Sequence, residues 1–351
     1  TVQGLDRDAA DVKAARNYLE SRGMYGNVSV DQLKGDTLPY VDNLVNVLVC
    51  AESPEVPAAE LKRVLRPGGT VFVKKQGQWV KQTKSWPAEI DEWTHYLRDA
   101  GGNPVSQDDR IGPPRGLQWI GTPQWARHHD HMASMSALVS SNGRIFYIMD
   151  RGSRKSVLLP PKWYLVARDA FNGTILWERK IEKWRTQLIQ LKSGPAQLPR
   201  KLVAIGDTVY VTMNLKGSVS ALDAATGRTI RTYDGTDGTA ELIVDDGVMY
   251  ILRDPKNSTP GQLDTSSANT VRKRVRQPWW SGESSEIMAV ETDTGNVLWE
   301  KASRVMPLTL AAKNGRVCFH DGRKVVCLDA ESGSQEWTSE PVERSEEILS
   351  F

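Results

Sequence analysis

The stretch YLVARDAFNGTILWERKI, residues 164–181, sets a small residue, an acid, a glycine and a tryptophan at fixed steps between two apolar runs. The same spacing recurs without a slip in ARDAFNGTILW (167–177), ALDAATGRTIR (221–231), AVETDTGNVLW (289–299) and CLDAESGSQEW (327–337). The small residue is Ala167, Ala221, Ala289 or Cys327, and the acid two steps on is Asp169, Asp223, Glu291 or Asp329. Gly173, Gly227, Gly295 and Gly333 follow, and then Trp177, Trp299 and Trp337, with Arg231 in the tryptophan place of the second copy. Such a phrase reads as a hairpin: a strand, a turn whose acid accepts from backbone N–H groups, a glycine at positive φ, and a returning strand.

A second hairpin signal precedes each copy: SSNGRIFYI (140–148), AIGDTVYV (204–211), VDDGVMYI (244–251) and AKNGRVCFH (312–320), leading to Tyr147, Tyr210, Tyr250 and Phe319. Each unit therefore offers four strands. Four short strands per unit, repeated with unequal loops, predict a mainly β fold, a β-propeller of four-stranded blades that bury their faces against one another. About four blades are expected, an incomplete set, because the sequence ends at EEILSF (346–351) where a fifth would begin.

The phrase A-x-D-x-x-T-G-x-x-x-W resembles the tryptophan-docking repeat of the PQQ-binding-like, quinoprotein dehydrogenase-like β-propellers, the superfamily that includes BamB. The resemblance spans about residues 86–342, and the propeller is assigned to 86–351. It implies that Trp177, Trp299 and Trp337 pack between adjacent blades, that Arg231 weakens one junction, and that the protein is bacterial and periplasmic or exported. It also implies PQQ with calcium as a cofactor, held by a stacking tryptophan and by carboxylate and amide oxygens beside a carboxylate base. The vicinal cysteines many such dehydrogenases stack on the quinone do not occur, and no acid and amide set stands out. The repeat names a fold and leaves the question of an enzyme open; a binding or scaffold propeller needs only its loops.

The first eighty residues follow another rhythm. VQGLD (2–6), NVSV (27–30) and LVNVLVC (44–50) read as strands, and DAADVKAARNYLESRG (8–23) as a helix capped by Asp8 with Val12, Ala15 and Leu19 on one face. PAAELKRVL (57–65) reads as a second helix and RPGGTVFVK (66–74) as a turn and strand, an alternation that predicts a parallel α/β sheet. GLDRDAADVKAAR, GDTLPYVDN and LKRVLRPGGTVFV resemble the later motifs of class I S-adenosylmethionine methyltransferases. The resemblance implies a small Rossmann-like segment over residues 1–80 in which Asp6 holds the ribose hydroxyls and Asp36 lies near the adenine. Its first strand and glycine-rich loop have no counterpart here, so the segment is expected not to bind S-adenosylmethionine unless that motif lies upstream. The whole is expected to be a fragment of a larger multidomain chain, with the rest of that chain among its partners.

With 45 Lys+Arg against 43 Asp+Glu the net charge is +2, which favours neither nucleic acid nor an anionic membrane. The densest polar cluster is ARHHDHMAS (126–134), where His129 and His131 point the same way on a strand and are the candidate metal ligands; the alternative is that they bond backbone. Lys192 and Arg200, in KSGPAQLPRK (192–201), either reach toward a central channel or are solvated. The insertion 254–285 carries Arg272, Lys273, Arg274, Arg276, Trp279 and Trp280, which suit an acidic or glycan partner or form a solvated loop. Partners are thus expected at propeller loops, as protein or small ligand. Cys318 and Cys327 are placed diagonally across the hairpin around HDGR (320–323), so no bridge is expected, and with Cys50 they are read as buried thiols.

Overall fold

A computed structural model of the chain describes residues 1–51, 56–110, 112–113, 116–123, 127, 135–156, 159–182, 184, 198–253 and 284–341. The chain divides into two compact units, residues 1–88 with 116–118, and residues 89–115 with 119–351.

In the first unit, β1 (Val2–Asp6) leads through α1 (Ala9–Ser21) to β2 (Val28–Gln32), and β3 (Val45–Cys50) through α2 (Ala58–Val64) to β4 (Leu65–Lys75). Asp8 caps α1 as expected, its carboxylate accepting from the Ala10 N–H, and Val12 and Leu19 are the residues the helix buries. Both crossovers are parallel, β1 with β2 and β3 with β4. The single parallel sheet expected from the sequence is instead two sheets, a β1–β2 pair and a β3–β4–β5 set in which β5 (Gln78–Thr83) returns antiparallel on β4; neither β1 nor β2 pairs with β3 among the described residues. Gln76 and Gly77 at φ 49° and 80° make that tight turn. Leu38, Leu61, Val64, Val71 and Val73 form the core beneath α2, while Val47 and Val49 on the other face of β3 are exposed.

Among its described residues the second unit contains four antiparallel four-stranded sheets, each ordered as the chain runs. They are β6 (Met135–Ser141) to β9 (Ile175–Ile181), with β7 (Arg144–Asp150) and β8 (Trp163–Asp169) between; β10 (Leu202–Ile205), β11 (Thr208–Thr212), β12 (Val219–Asp223) and β13 (Thr229–Thr232); β14 (Thr239–Asp245), β15 (Val248–Arg253), β16 (Ser285–Glu291) and β17 (Val297–Ser303); and β18 (Ala311–Lys313), β19 (Arg316–His320), β20 (Val325–Asp329) and β21 (Gln335–Thr338). These are propeller-like blades. The first strands of successive blades, β6, β10, β14 and β18, lie beside one another along the inside.

Each repeated phrase is the third strand, turn and fourth strand of a blade. Asp169 accepts from the N–H groups of Phe171 and Asn172, Asp223 from Thr226 and Asp329 from Ser332, which holds the turn shut. Gly173, Gly227, Gly295 and Gly333 have φ between 67° and 82°, the left-handed region that a Cβ disfavours.

The turn of one blade receives a side chain from the blade before it. The Trp177 indole N–H donates to Ala224 O and that of Trp299 to Ala330 O, both at 2.9 Å, each ring lying against the turn glycine of the next blade. Trp119 does the same for the first blade, donating to Ala170 O and covering Gly173. Arg231, expected to weaken its junction, spans it with hydrogen bonds to Thr294 O and Asp293 O at 2.7 and 2.8 Å, joined by the Tyr233 hydroxyl on Thr292 O. Trp337, expected to be covered like the others, is 45% exposed.

In the first three blades the aromatic opposite the small residue of the phrase is Phe146, Tyr210 or Tyr250, facing Ala167, Ala221 or Ala289, while Tyr147 pairs with Val166 and Phe319 with Val326. One register expectation is corrected. Cys318 and Cys327 are not diagonal but directly opposite, with Sγ atoms 3.0 Å apart. The cause is the length of the turn: Asp321 N–H donates to Lys324 O around Gly322 and Arg323 alone, which fixes His320 against Val325 and Cys318 against Cys327.

Candidate functional site

An edge strand leaves a row of N–H and C=O groups that must find partners when buried. On the inside of the blades those partners come from residues 92–100. Ser140 N–H donates to Trp93 O at 2.7 Å, Ala204 N–H to Thr94 O at 3.0 Å, and Ala312 N–H to Ala100 O at 2.9 Å. Val244 N–H donates to the His95 ring at Nε2, 3.0 Å away. One short segment is thus bonded to the first strand of all four blades, and forms a strap along their inner edges.

The strap is held in shape by its own ions. Arg98 donates from Nε to Asp91 at 2.6 Å and from Nη1 to Asp99 at 2.9 Å, and Asp91 also accepts from Gln107 N–H. The Arg98 guanidinium beside it holds the Asp91 carboxyl below its usual value. Glu92 accepts from Asn142 N–H, tying the near end to the first blade, and Lys313 pairs with Asp99 at the other.

His95 is 3% exposed. Its Nδ1 lies 2.8 Å from Thr94 Oγ1, whose own hydroxyl donates to Arg98 O, so Nδ1 carries the proton and Nε2 is free to accept from Val244. Burial pushes its pKa down to about 3, with Arg200 reinforcing and Asp99 opposing. The ring is therefore a neutral acceptor.

Behind the strap lies a buried charge cluster. Arg200 donates to Leu310 O and Leu308 O at 2.9 Å each, and stands 3.7 Å from the carboxylate of Glu241, which is fully buried. Glu241 Oε1 accepts from Leu308 N–H at 2.6 Å, whereas its Oε2 and the Nε of Arg200 make no hydrogen bond. Burial raises the Glu241 carboxyl pKa, Arg200 opposing. Lys201, also buried, donates to Leu215 O and Thr239 O. Of the two basic residues for which either a channel-facing or a solvated place was open, Arg200 is buried as a structural clamp between the second, third and fourth blades; Lys192 lies outside the described residues. His95, Glu241 and the strap sit outside the repeat and carry no signal of their own in the sequence.

His129, His131 and the insertion 254–285, apart from Ser284 and Ser285, lie outside the described residues. Among the described residues no three His, Cys, Asp or Glu side chains are grouped to hold a metal ion. Glu241 faces a guanidinium where a calcium site would set further oxygens. The described residues do not fit a calcium and quinone pair. In the first unit Asp6 accepts from Asp8 N–H at 2.8 Å and Asp36 pairs with Arg7 at 3.1 Å, both carboxylates standing exposed. A groove of about 560 Å³ beside α1, lined by Lys13, Arg16, Glu20, Tyr25 and Gln32 among others, contains neither.

A family model described as outer membrane protein assembly factor BamB matches residues 283–350. A search of curated protein sequences returns no match. Among solved structures the chain is similar to the quinohemoprotein alcohol dehydrogenase from Comamonas testosteroni, at 13% identity and a TM-score of 0.44 over 72% of this chain and 41% of that one. A europium-containing methanol dehydrogenase gives 9% identity and a TM-score of 0.39 over 72% of this chain and 49% of that one. BamB from Moraxella catarrhalis gives 15% identity and 0.28 over 63% of this chain and 64% of that one. The chain thus spans less than half the length of these two dehydrogenases. Among the described residues no helix is long and apolar enough to cross a membrane.

Proposed function

We propose that the chain is a binding and scaffold module of the PQQ-binding-like propeller class, exported from a bacterial cell, that presents its blade loops to protein or small-molecule partners. The observation that carries this reading is the strap: residues 92–100 take up the inner edges of the four described blades and bond them to backbone and a neutral histidine. The tryptophan-docking geometry at Trp119, Trp177 and Trp299 supports the class, as does the match over residues 283–350 to a family described as an outer membrane assembly factor. An absorbance titration with PQQ and calcium, followed by an alcohol oxidation assay, tests it. No saturable spectral change is expected; saturable binding with turnover would establish the quinoprotein oxidoreductase instead.

The first unit is proposed to be a methyltransferase-like segment without activity in this chain. Its two parallel crossovers support the likeness, and a groove beside α1 that contains neither Asp6 nor Asp36 supports the inactivity. Equilibrium dialysis against S-adenosylmethionine is expected to show no retention, and stoichiometric retention would reverse the assignment.

A further inference from the structure

In the first three blades the second strand sets an aromatic ring opposite the small residue of the phrase: Phe146 opposite Ala167, Tyr210 opposite Ala221, Tyr250 opposite Ala289. That ring packs on the fourth-strand tryptophan in the first and third blades, Phe146 on Trp177 and Tyr250 on Trp299 at 6.0 Å, and in the second on Tyr233, one residue past β13, with Tyr210 at 6.4 Å. In the fourth blade the same two places hold Cys318 and Cys327, beside Trp337. A large ring and a methyl group have been exchanged for two thiols.

The pairing geometry favours a bond between them. Asp321 N–H donates to Lys324 O, so alternation along the antiparallel ladder makes Phe319 with Val326 a hydrogen-bonded pair and Cys318 with Cys327 a non-hydrogen-bonded one. The donation of Ser339 N–H to Val325 O fits this phase, since it turns the backbone of Val325 and Cys327 toward β21. Non-hydrogen-bonded pairs bring Cα atoms to about 4.5 Å, within the range a disulfide spans. The Sγ atoms lie 3.0 Å apart, closer than two sulfurs that merely touch. Cys327 is buried and Cys318 is partly exposed, so an external reagent has one thiol to meet first.

We infer that Cys318 and Cys327 are a disulfide-forming pair that staples the second and third strands of the fourth blade in place of the aromatic packing used by the others. The partner reagent is a disulfide, of a protein oxidase or a small thiol. The Cys318 thiolate attacks one sulfur of that disulfide and releases a thiolate, which takes up the proton Cys318 has lost. The Cys327 thiolate then displaces the second thiol from the mixed disulfide. Two protein thiols become one disulfide, and the two electrons and two protons leave on the reagent as two thiols. Burial raises the Cys318 pKa to about 12, so the first attack is slow at neutral pH and accelerates as pH rises.

Trypsin separates the two cysteines, cutting after Arg316, Arg323, Lys324 and Arg344. The full-length protein is incubated with oxidised glutathione, alkylated without reduction and digested. A linked species joining peptides 317–323 and 325–344, lost on reduction, is expected, with Cys50 alkylated. Recovery of both peptides fully alkylated after prolonged incubation at pH 8.5 would overturn the inference. In parallel, Cys327→Ala, which restores the residue of the other blades, is compared with the wild type with and without a reductant. The wild-type melting temperature is expected to fall by several degrees on reduction while that of the variant stays put; equal responses would count against the staple.

Discussion

His95 shows how one side chain can couple the fold to pH. It accepts from Val244 N–H only while neutral, and burial sets its folded pKa at about 3 against 6.5 when free. Because the folded value is the lower one, the unfolded chain binds the proton first as pH falls. Stability is therefore undiminished above 6.5 and is lost progressively between 6.5 and 3. One proton costs about 1.4 kcal/mol per pH unit across that window, or about 2 kcal/mol by pH 5. Gln at this position offers an uncharged acceptor to the same amide. Urea unfolding of wild type and His95→Gln at pH 7.5 and 5.0 is expected to show the wild type losing about 2 kcal/mol more than the variant. Parallel losses would mean that the ring becomes protonated without opening the strap.

At the scale of the strand and turn, the same glycine conformation carries different costs according to what lies against it. Gly206 has φ 55° with open space where a Cβ would go, whereas a Cβ on Gly227, at φ 72°, would come within 2.6 Å of the Trp177 indole. Gly206→Ala should cost about 1–2 kcal/mol, the strain of the left-handed region alone, while Gly227→Ala adds about 1–3 kcal/mol from displacing the indole. The shift in urea midpoint distinguishes them, and equal shifts would show that the indole does not rest on the turn. Trp177→Ala is expected to cost about 3–5 kcal/mol, and Trp337→Ala, whose ring is half open to solvent, about 1 kcal/mol or less.

This contrast also marks what was legible beforehand. Acid, turn glycine and strand alternation act within a dozen residues, so the blades could be read from the phrase 167–177 and its three copies. Whether a tryptophan is covered depends on a turn elsewhere in the chain, so the phrase 327–337 does not itself show that Trp337 is half exposed. Trp119 stands outside any copy of the phrase and carries no repeat signal. The cysteine register turned on a two-residue turn where HDGR admits a longer one. The strap was illegible for a deeper reason: residues 92–100 have no period of their own, and their conformation is dictated by donors at Ser140, Ala204, Val244 and Ala312, which lie 47 to 212 positions away in sequence.

Across the whole blade assembly the strap joins amides that share no strand. The N–H groups of Ser140, Ala204, Val244 and Ala312 belong to four different sheets, yet each donates to residues 93–100. If the strap seats as one body, the amides exchange with solvent through a common opening, and their protection reports the same free energy. Asp91 tests this without touching any of them, since its carboxylate holds Arg98, the Gln107 N–H and the Glu92 N–H in the strap conformation. Asp91→Ala removes a charge-assisted hydrogen bond worth about 1.5–3 kcal/mol, which should accelerate exchange at all four amides by a similar factor of roughly 10 to 150. Amides in the middle strands, such as those of β8 and β16, should keep their rates, because their ladders do not involve the strap. Acceleration at Ser140 alone, the amide bonded nearest to Asp91, would show instead that the strap frays residue by residue and that the blades are held together by their tryptophan and arginine junctions.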